Sequence, residues 1–250
     1  GPIDKAKIAK WGYTVASQVT DPESSFHAVL FKPTEEAISG DTPEAKAIRA
    51  IYNGVPPAVI SFRGTVDKKG FQDDTNKDGA GSFQFAANED KIVALFAAAG
   101  GRAIVTGHSL GGALAQLAAA NYPGNTESVV TFQSPGISKA EADKVKQYNT
   151  ANPTKAIEST HFRADGDVVP MGGEALTPGL VYSLKASGFE DPVAAHKSYP
   201  LARLAAARGD ALDVNEGLGT GAEGHLTGVE KETTDEAKSG ILPEIGEGVR

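Results

Sequence analysis

The chain has 250 residues, with 32 Asp and Glu against 24 Lys and Arg, a formal net charge of −8 and no cysteine. The acidic balance argues against nucleic acid as a partner, and against binding to a strongly anionic membrane surface. The absence of cysteine excludes disulfides, a thiol nucleophile and a thiolate metal site. A hydrophobic content of 40% is enough for one domain of this size.

The first predicted element is a helix over residues 3–19. Apolar residues recur there with helical spacing, at Ile8, Trp11, Val15 and Val19. Trp11, as a large aromatic residue within this pattern, is expected in the core.

Strands and helices alternate through most of the remaining chain. The predicted strands are residues 25–32, 57–62, 103–106, 128–133, 158–163 and 180–184, and the predicted helices are residues 43–52, 83–99, 110–121, 138–148 and 192–207. Such alternation predicts an α/β fold with a mainly parallel central sheet and helices on both faces. From residue 209 onward, glycine and acidic residues dominate and the periodicity disappears. The predicted division is an α/β domain at 1–208 and an irregular C-terminal arm at 209–250.

The strongest motif is G-H-S-L-G at residues 107–111, the G-x-S-x-G form of a nucleophile elbow. A serine on a sharp strand-to-helix turn has a strained backbone, so Gly107 and Gly111 are needed as nearly side-chain-free neighbours. The alternative is an ordinary turn in which Ser109 caps the helix. The apolar strand before the motif and the small-residue helix after it favour the elbow. The amide of Leu110 then lies at a helix N-terminus, where it can stabilise an oxyanion.

A nucleophilic serine needs a base, and the base needs an acid that orients it. Asp165 and Asp167 both follow a predicted strand and lie in the order that α/β-hydrolases use. Asp167 is favoured because the stiff apolar residues 168–170 can fix its rotamer, whereas Asp165 adjoins Gly166 in a predicted turn. The alternative for both is an Asp-Gly turn with capping carboxylates.

Of the five histidines, His196 is the predicted base, because it follows the last predicted strand and opens a helix. His27 and His161 come too early in the chain order. His108 adjoins the serine, but its side chain is expected to point away from it. His225 lies in the glycine-rich arm, which is a poor platform for a precisely held imidazole.

A second half of an oxyanion hole is predicted after the strand at 57–62, which ends in R-G-T. Thr65 there offers both a backbone amide and a hydroxyl. The alternative is a simple β-turn, for which Gly64 would suffice.

The polar segment 66–82 lies where a lid over the site would lie. Within it, Asp74, Asn76 and Asp78 match the first half of a calcium loop. The closing acid is missing because position twelve falls on Phe85, so a solvated acidic loop is favoured over a weak calcium site. No metal and no cofactor are expected.

Together these stretches resemble the class 3 lipase family, the α/β-hydrolases of fungal lipase type. The resemblance spans residues 57–200 and rests on F-R-G-T, G-H-S-L-G-G-A, D-V-V-P, and His196 followed by Tyr199. It implies an α/β-hydrolase fold that hydrolyses carboxylic esters, usually of acylglycerols or phospholipids. The roles it implies are Ser109 as nucleophile, Asp167 as acid, His196 as base, and Thr65 with Leu110 as oxyanion hole.

Three features depart from the family pattern. Ala164 stands where an Asn often precedes the acid, the segment after Thr65 is hydrophilic, and disulfides are absent. These departures leave the catalytic interpretation intact and weaken the case for triglyceride as the substrate.

The sequence therefore predicts a serine ester hydrolase that acts on acyl esters of lipids through an acyl-enzyme. Two alternatives stay open: a phospholipase A1-type antibacterial toxin, with an inhibitor or immunity protein as partner, and a hydrolase fold retained as a non-catalytic interaction module. The expected partners are a lipid or small ester and, peripherally, a membrane. The start of the chain has no signal-peptide pattern, and Gly1-Pro2 is typical of a protease scar, so any targeting segment is expected upstream. Delivery as a secreted or effector-type bacterial protein is the working expectation.

Overall fold

The computed structural model describes residues 3–64, 79–164, 167, 169–187, 196 and 225–237. Eight strands in these residues form one sheet. The strands are β1 (Tyr13–Asp21), β2 (Phe26–Pro33), β3 (Ala58–Phe62), β4 (Ala103–His108), β5 (Thr126–Phe132), β6 (Glu158–Ala164), β7 (Gly179–Ser187) and β8 (His225–Thr233). The helices are α1 (Lys5–Lys10), α2 (Glu35–Ser39), α3 (Pro43–Tyr52), α4 (Ser82–Ala87), α5 (Glu89–Ala98), α6 (Leu110–Asn121) and α7 (Lys139–Ala151).

The sheet is parallel in its centre and antiparallel at its edges. The strands lie in the order β1 to β8. The five strands from β3 to β7 run parallel, whereas β1, β2 and β8 pair antiparallel with their neighbours. The predicted α/β-hydrolase architecture with a mainly parallel sheet is confirmed. Because parallel strands end at the same edge, the segments that follow β3, β4 and β6 meet there.

Helix α6 lies at the centre of the core. It packs on β3, β4 and β5, and its residues 110–120 are all buried. A helix that is buried on all sides needs no polar face, which explains its run of Ala, Gly and Leu. The buried side chains of β3 and β4, such as Ile60, Phe62 and Val105, complete this part of the core.

The N-terminal prediction was wrong. Helix α1 ends before Gly12, whose φ is +80°, and the chain continues as β1 with alternately exposed and half-buried residues. Residues four apart, such as Val15 and Val19, lie on one face of a helix and also on one face of a strand. The spacing therefore fits both elements equally well and does not distinguish them. Trp11 is 57% exposed and is therefore not a core residue.

The C-terminal arm was predicted to be irregular, but it contributes a strand. Strand β8 pairs antiparallel with β7 along nearly its whole length, from Leu180 opposite Thr233 to Ser187 opposite His225. Its sequence carries no apolar periodicity, since an edge strand is stabilised largely by main-chain hydrogen bonds to its one neighbour. The domain division at residue 208 stays a prediction.

The helix predicted at 83–99 is divided into α4 and α5 at Asn88. This residue leaves the helical region, with φ −126° and ψ 19°. Its buried amide nitrogen donates to Ser24 Oγ at 2.7 Å and to the carbonyl of Gln84 at 3.0 Å. The break therefore ties the helix pair to the turn between β1 and β2.

His161 belongs to a buried polar network within the sheet. Its Nδ1 lies 2.7 Å from Thr131 Oγ1, and its Nε2 lies 2.9 Å from the carbonyl oxygen of Thr177. Because a carbonyl only accepts, Nε2 carries the hydrogen and Nδ1 accepts from the Thr131 hydroxyl. Burial lowers the pKa of His161 to about 4. His161 is therefore a neutral, structural histidine.

This histidine should make the protein less stable in mild acid. Its pKa is about 4 in the folded protein and 6.5 in its unperturbed state, so between these values the unfolded chain binds a proton that the native protein does not. The free energy of unfolding should fall as the pH drops below about 6.5, by roughly 3 kcal/mol at pH 4. Urea denaturation at pH 7, 5.5 and 4 measures this, with His161→Gln as the variant that has no such group. An equal loss of stability in the variant would contradict the assignment.

Candidate active site

Ser109 lies on a sharp turn between the end of β4 and the start of α6. Its backbone has φ 56° and ψ −133°, a conformation that side-chain-bearing residues rarely adopt. The amide of Ser109 donates to the carbonyl of Phe132 at the end of β5, at 2.9 Å. Neighbouring strands therefore hold the turn, and its strain is typical of a functional position.

The glycines of the motif allow main chains to approach each other closely. A Cβ atom on Gly107 would lie 2.2 Å from the carbonyl group of Gly111, and one on Gly111 would lie 2.2 Å from the carbonyl oxygen of Phe62. These distances agree with the steric reason for which the two glycines were singled out. Gly64 has a similar constraint that the sequence did not indicate, since its Cβ would lie 2.7 Å from the carbonyl oxygen of His108.

The structure brings Ser109, His196 and Asp167 together. His196 Nε2 lies 2.8 Å from Ser109 Oγ, and His196 Nδ1 lies 2.8 Å from Asp167 Oδ2. The second carboxylate oxygen of Asp167 accepts from the amide of Val169 at 2.9 Å. The Asp167 side chain is fully buried, whereas the His196 side chain is 19% exposed. The imidazole is therefore oriented by a carboxylate that lies in the protein interior.

Leu110 is the first residue of α6 and lies beside the end of β3. The ideal Cβ position of Gly64 is 3.5 Å from the Leu110 amide nitrogen and 3.1 Å from Ser109 Cβ. The chain after β3 thus passes directly over the nucleophile turn. Thr65, the next residue, lies outside the described residues.

Other predicted positions also lie outside the described residues. They are the calcium candidates Asp74, Asn76 and Asp78, the alternative acid Asp165, and all of the predicted helix 192–207 except His196, which is helical. Within the described part of the chain, no group of three or more His, Asp or Glu residues is placed to hold a metal ion. In the same part, no helix has both the length and the apolar character that crossing a bilayer requires.

Two residues at the site were missed by the sequence reasoning. His108 Nε2 lies 2.9 Å from the main-chain oxygen of His196, and the two imidazole ring centroids are 4.9 Å apart. Gln133 follows β5 with a φ of 48° and lies near enough to His108 to affect its pKa. Partial desolvation lowers the pKa of His108, which favours its neutral form. No local sequence pattern indicates these contacts, because they join residues that are far apart in the chain.

A strained serine at the carboxyl edge of a mainly parallel sheet, followed at once by a buried helix, defines the chain as an α/β-hydrolase. A family model described as phospholipase-like, the Tle-like phospholipase domain, matches residues 3–177, and the chain belongs to this family. The protein is thus a hydrolase of the lipase and phospholipase class, with lipid esters as substrates. The resemblance seen in the sequence is confirmed at the level of a lipase-type α/β-hydrolase.

Several solved structures match this chain at low sequence identity. One is a triacylglycerol lipase from Penicillium expansum, with 17% identity and a TM-score of 0.44; the match covers 70% of this chain and 71% of that one. The lipase–propeptide complex from Rhizomucor miehei has 17% identity and a TM-score of 0.47, covering 69% of this chain and 57% of that one. A CIB-like hydrolase from Thermoplasma acidophilum has 11% identity and a TM-score of 0.43, covering 79% and 98%. A search of curated proteins found no match.

The close approach of the main chains at Gly111 can be tested by adding a Cβ there. Gly111→Ala should destabilise the protein by at least about 3 kcal/mol, because its Cβ would meet the main chain of β3 and neither backbone can move away. Gly124→Ala is the matched control, since nothing lies within 4 Å of a Cβ at that position. Thermal denaturation measures both variants. A Gly111→Ala variant as stable as Gly124→Ala would show that the main chains do not cross as described.

Proposed function

We propose that the protein hydrolyses carboxylic esters of phospholipids through an acyl-enzyme on Ser109. The observation that carries the proposal is the pair of 2.8 Å contacts that His196 makes, one to Ser109 Oγ and one to Asp167 Oδ2. A serine hydroxyl is a weak nucleophile until a base removes its proton, and a base works best when an acid fixes its tautomer. The three side chains have the geometry for these roles.

In the acylation step, Ser109 Oγ attacks the ester carbonyl carbon while its proton passes to His196 Nε2. A bond forms between Oγ and carbon, and the carbonyl electron pair moves onto oxygen. When the tetrahedral intermediate collapses, the bond to the alcohol oxygen breaks and His196 gives its proton to the leaving alcohol. In deacylation, water takes the place of the alcohol: His196 removes its proton, and the fatty acid leaves as Ser109 is restored.

The negative charge on the carbonyl oxygen needs donors that are in place beforehand. The amide of Leu110 is the first proposed donor, because it opens α6 directly after Ser109 and the helix dipole favours negative charge there. The amide and hydroxyl of Thr65 are the second, a role supported by the passage of Gly64 over the turn. The hydrogen bond from Val169 to Asp167 supports the acid role, since it leaves the other carboxylate oxygen to face His196.

The choice of phospholipids over triglycerides is supported by the family match and by the hydrophilic segment after Thr65. The toxin role, an inhibitor or immunity protein and contact with a membrane stay predictions from the resemblance.

The nucleophile is tested by replacing its oxygen. Ser109→Ala should lower kcat on a phospholipid by about 10⁴-fold or more while the fold stays intact, because the variant cannot form the acyl-enzyme. Acyl release from a phospholipid, a triglyceride and a short ester, measured side by side, also ranks the substrate classes. Ser128→Ala is the matched control, because Ser128 lies near the start of β5 and not at the carboxyl edge of the sheet. This variant should keep full activity.

A fluorophosphonate probe separates an enzyme from an interaction module that merely retains the fold. The native chain should be labelled at residue 109, and Ser109→Ala should not be labelled. Failure of the native chain to react, together with inactivity on all three esters, would refute the proposed function. Near-native hydrolysis by Ser109→Ala would refute the role of the serine.

The role of the acid gives a second, independent test. Asp167→Asn preserves shape but allows the side-chain amide to donate toward His196 Nδ1, which favours the wrong tautomer of the base. We expect kcat to fall by about 10³- to 10⁴-fold with KM nearly unchanged. Steady-state kinetics on the preferred ester measures this. A loss of less than tenfold would move the acid role to another carboxylate, Asp165 first.

A further inference from the structure

His196 is held at its main chain as well as at its ring. His108 Nε2 lies 2.9 Å from the carbonyl oxygen of His196. Since a carbonyl oxygen only accepts, Nε2 of His108 carries the hydrogen and donates it. In the neutral ring this leaves Nδ1 as the acceptor.

The backbone of Gln133 departs from that of a regular strand. Its φ of 48° lies in the left-handed region, which residues other than Gly, Asn and Asp seldom adopt. The residue is fully buried, and its amide donates to the carbonyl of Phe162 at 2.7 Å. A buried residue in a strained conformation persists only where its surroundings enforce it.

The strand register shows where Gln133 lies relative to His108. Phe132, the last residue of β5, pairs with His108 on β4, so the two side chains share one face of the sheet. In a regular strand the next residue would point to the opposite face. The left-handed turn at Gln133 breaks this alternation directly after the residue that pairs with His108.

We propose that His108 positions the base of the triad by holding the main chain of His196. This inference rests on the proposed function, because His196 is a base only if Ser109 is the nucleophile. His108 acts through His196 and is therefore a positioning residue rather than a catalytic one.

The end of β4 provides two residues that contact His196. His108 and Ser109 are consecutive, and they contact His196 at two points, the main chain through His108 and the ring through Ser109. Two contacts from one rigid strand end set both the location and the tilt of the imidazole. Displacement of a reacting group by about 1 Å can lower a rate 100-fold, so the second contact supports the rate directly.

Two substitutions at residue 108 separate the hydrogen bond from the ring shape. His108→Phe keeps a planar ring but cannot donate, whereas the amide nitrogen of His108→Gln lies near the position of Nε2 and can donate to the same carbonyl. On the ester preferred by the native chain, His108→Phe should lower kcat by roughly 10- to 100-fold with KM unchanged within about twofold. His108→Gln should recover most of the loss. Because His108 is exposed to solvent, neither change should prevent folding, and thermal denaturation checks this.

The results distinguish this inference from the proposed function. If the native chain is labelled by the fluorophosphonate but His108→Phe reacts and turns over at the native rate, the positioning role is overturned and the hydrolase stands. Equal losses in His108→Phe and His108→Gln, or a raised KM instead of a lowered kcat, overturn it as well. A native chain that neither reacts nor hydrolyses any ester removes the proposed function itself, and the inference with it.

Discussion

The structure depends on the close approach of two main chains at Gly111, where the first turn of α6 lies against the end of β3. A Cβ at this position would lie 2.2 Å from the Phe62 carbonyl oxygen, and only glycine allows that distance. The same approach fixes how sharply the chain must turn at Ser109, because α6 begins immediately after β4 ends. The strain at the serine is therefore a consequence of how the helix packs on the sheet. The core around α6 is large enough to maintain it, since backbone strain of this kind costs on the order of 1–3 kcal/mol.

A site at this edge needs residues from separate parts of the chain, and the parallel sheet supplies them. Ser109 follows β4 and Asp167 follows β6, one strand beyond β5, which lies between them. The gap is spanned by His196, whose two ring nitrogens reach both side chains at 2.8 Å. Unlike Ser109 and Asp167, His196 does not closely follow a described strand of the central sheet, since β7 ends at Ser187. Its position depends on the contacts it makes more than the positions of the other two do.

Much of this arrangement could be predicted from the sequence, because local rules govern it. The serine turn follows from the glycine spacing, and the order of nucleophile, acid and base follows from the way strands deliver residues to one edge. The helix predicted over residues 3–19 failed because Val15 and Val19 fit a strand as well as a helix. Strand β8 was missed because its pairing with β7 is decided by a partner some 45 residues earlier in the chain, with no pattern of its own. The contact of His108 with His196 was missed for the same reason, since it exists only in the folded protein.

Among the described residues, four other than glycine have a positive φ. Two of them lie in local turns, and the other two have strain that the fold imposes. Asn53 ends α3 in the left-handed conformation that suits a helix C-cap, and Ser25 lies in the turn between β1 and β2. Ser109 and Gln133 are different, because they directly follow the neighbouring strands β4 and β5, and both are buried. The carbonyl of Phe132 accepts the amide of Ser109, so the end of one strand stabilises the strained turn of the other. The strained positions of the sheet are therefore concentrated at the edge where the chemistry is proposed, and each is held by a neighbouring strand rather than by a flexible loop.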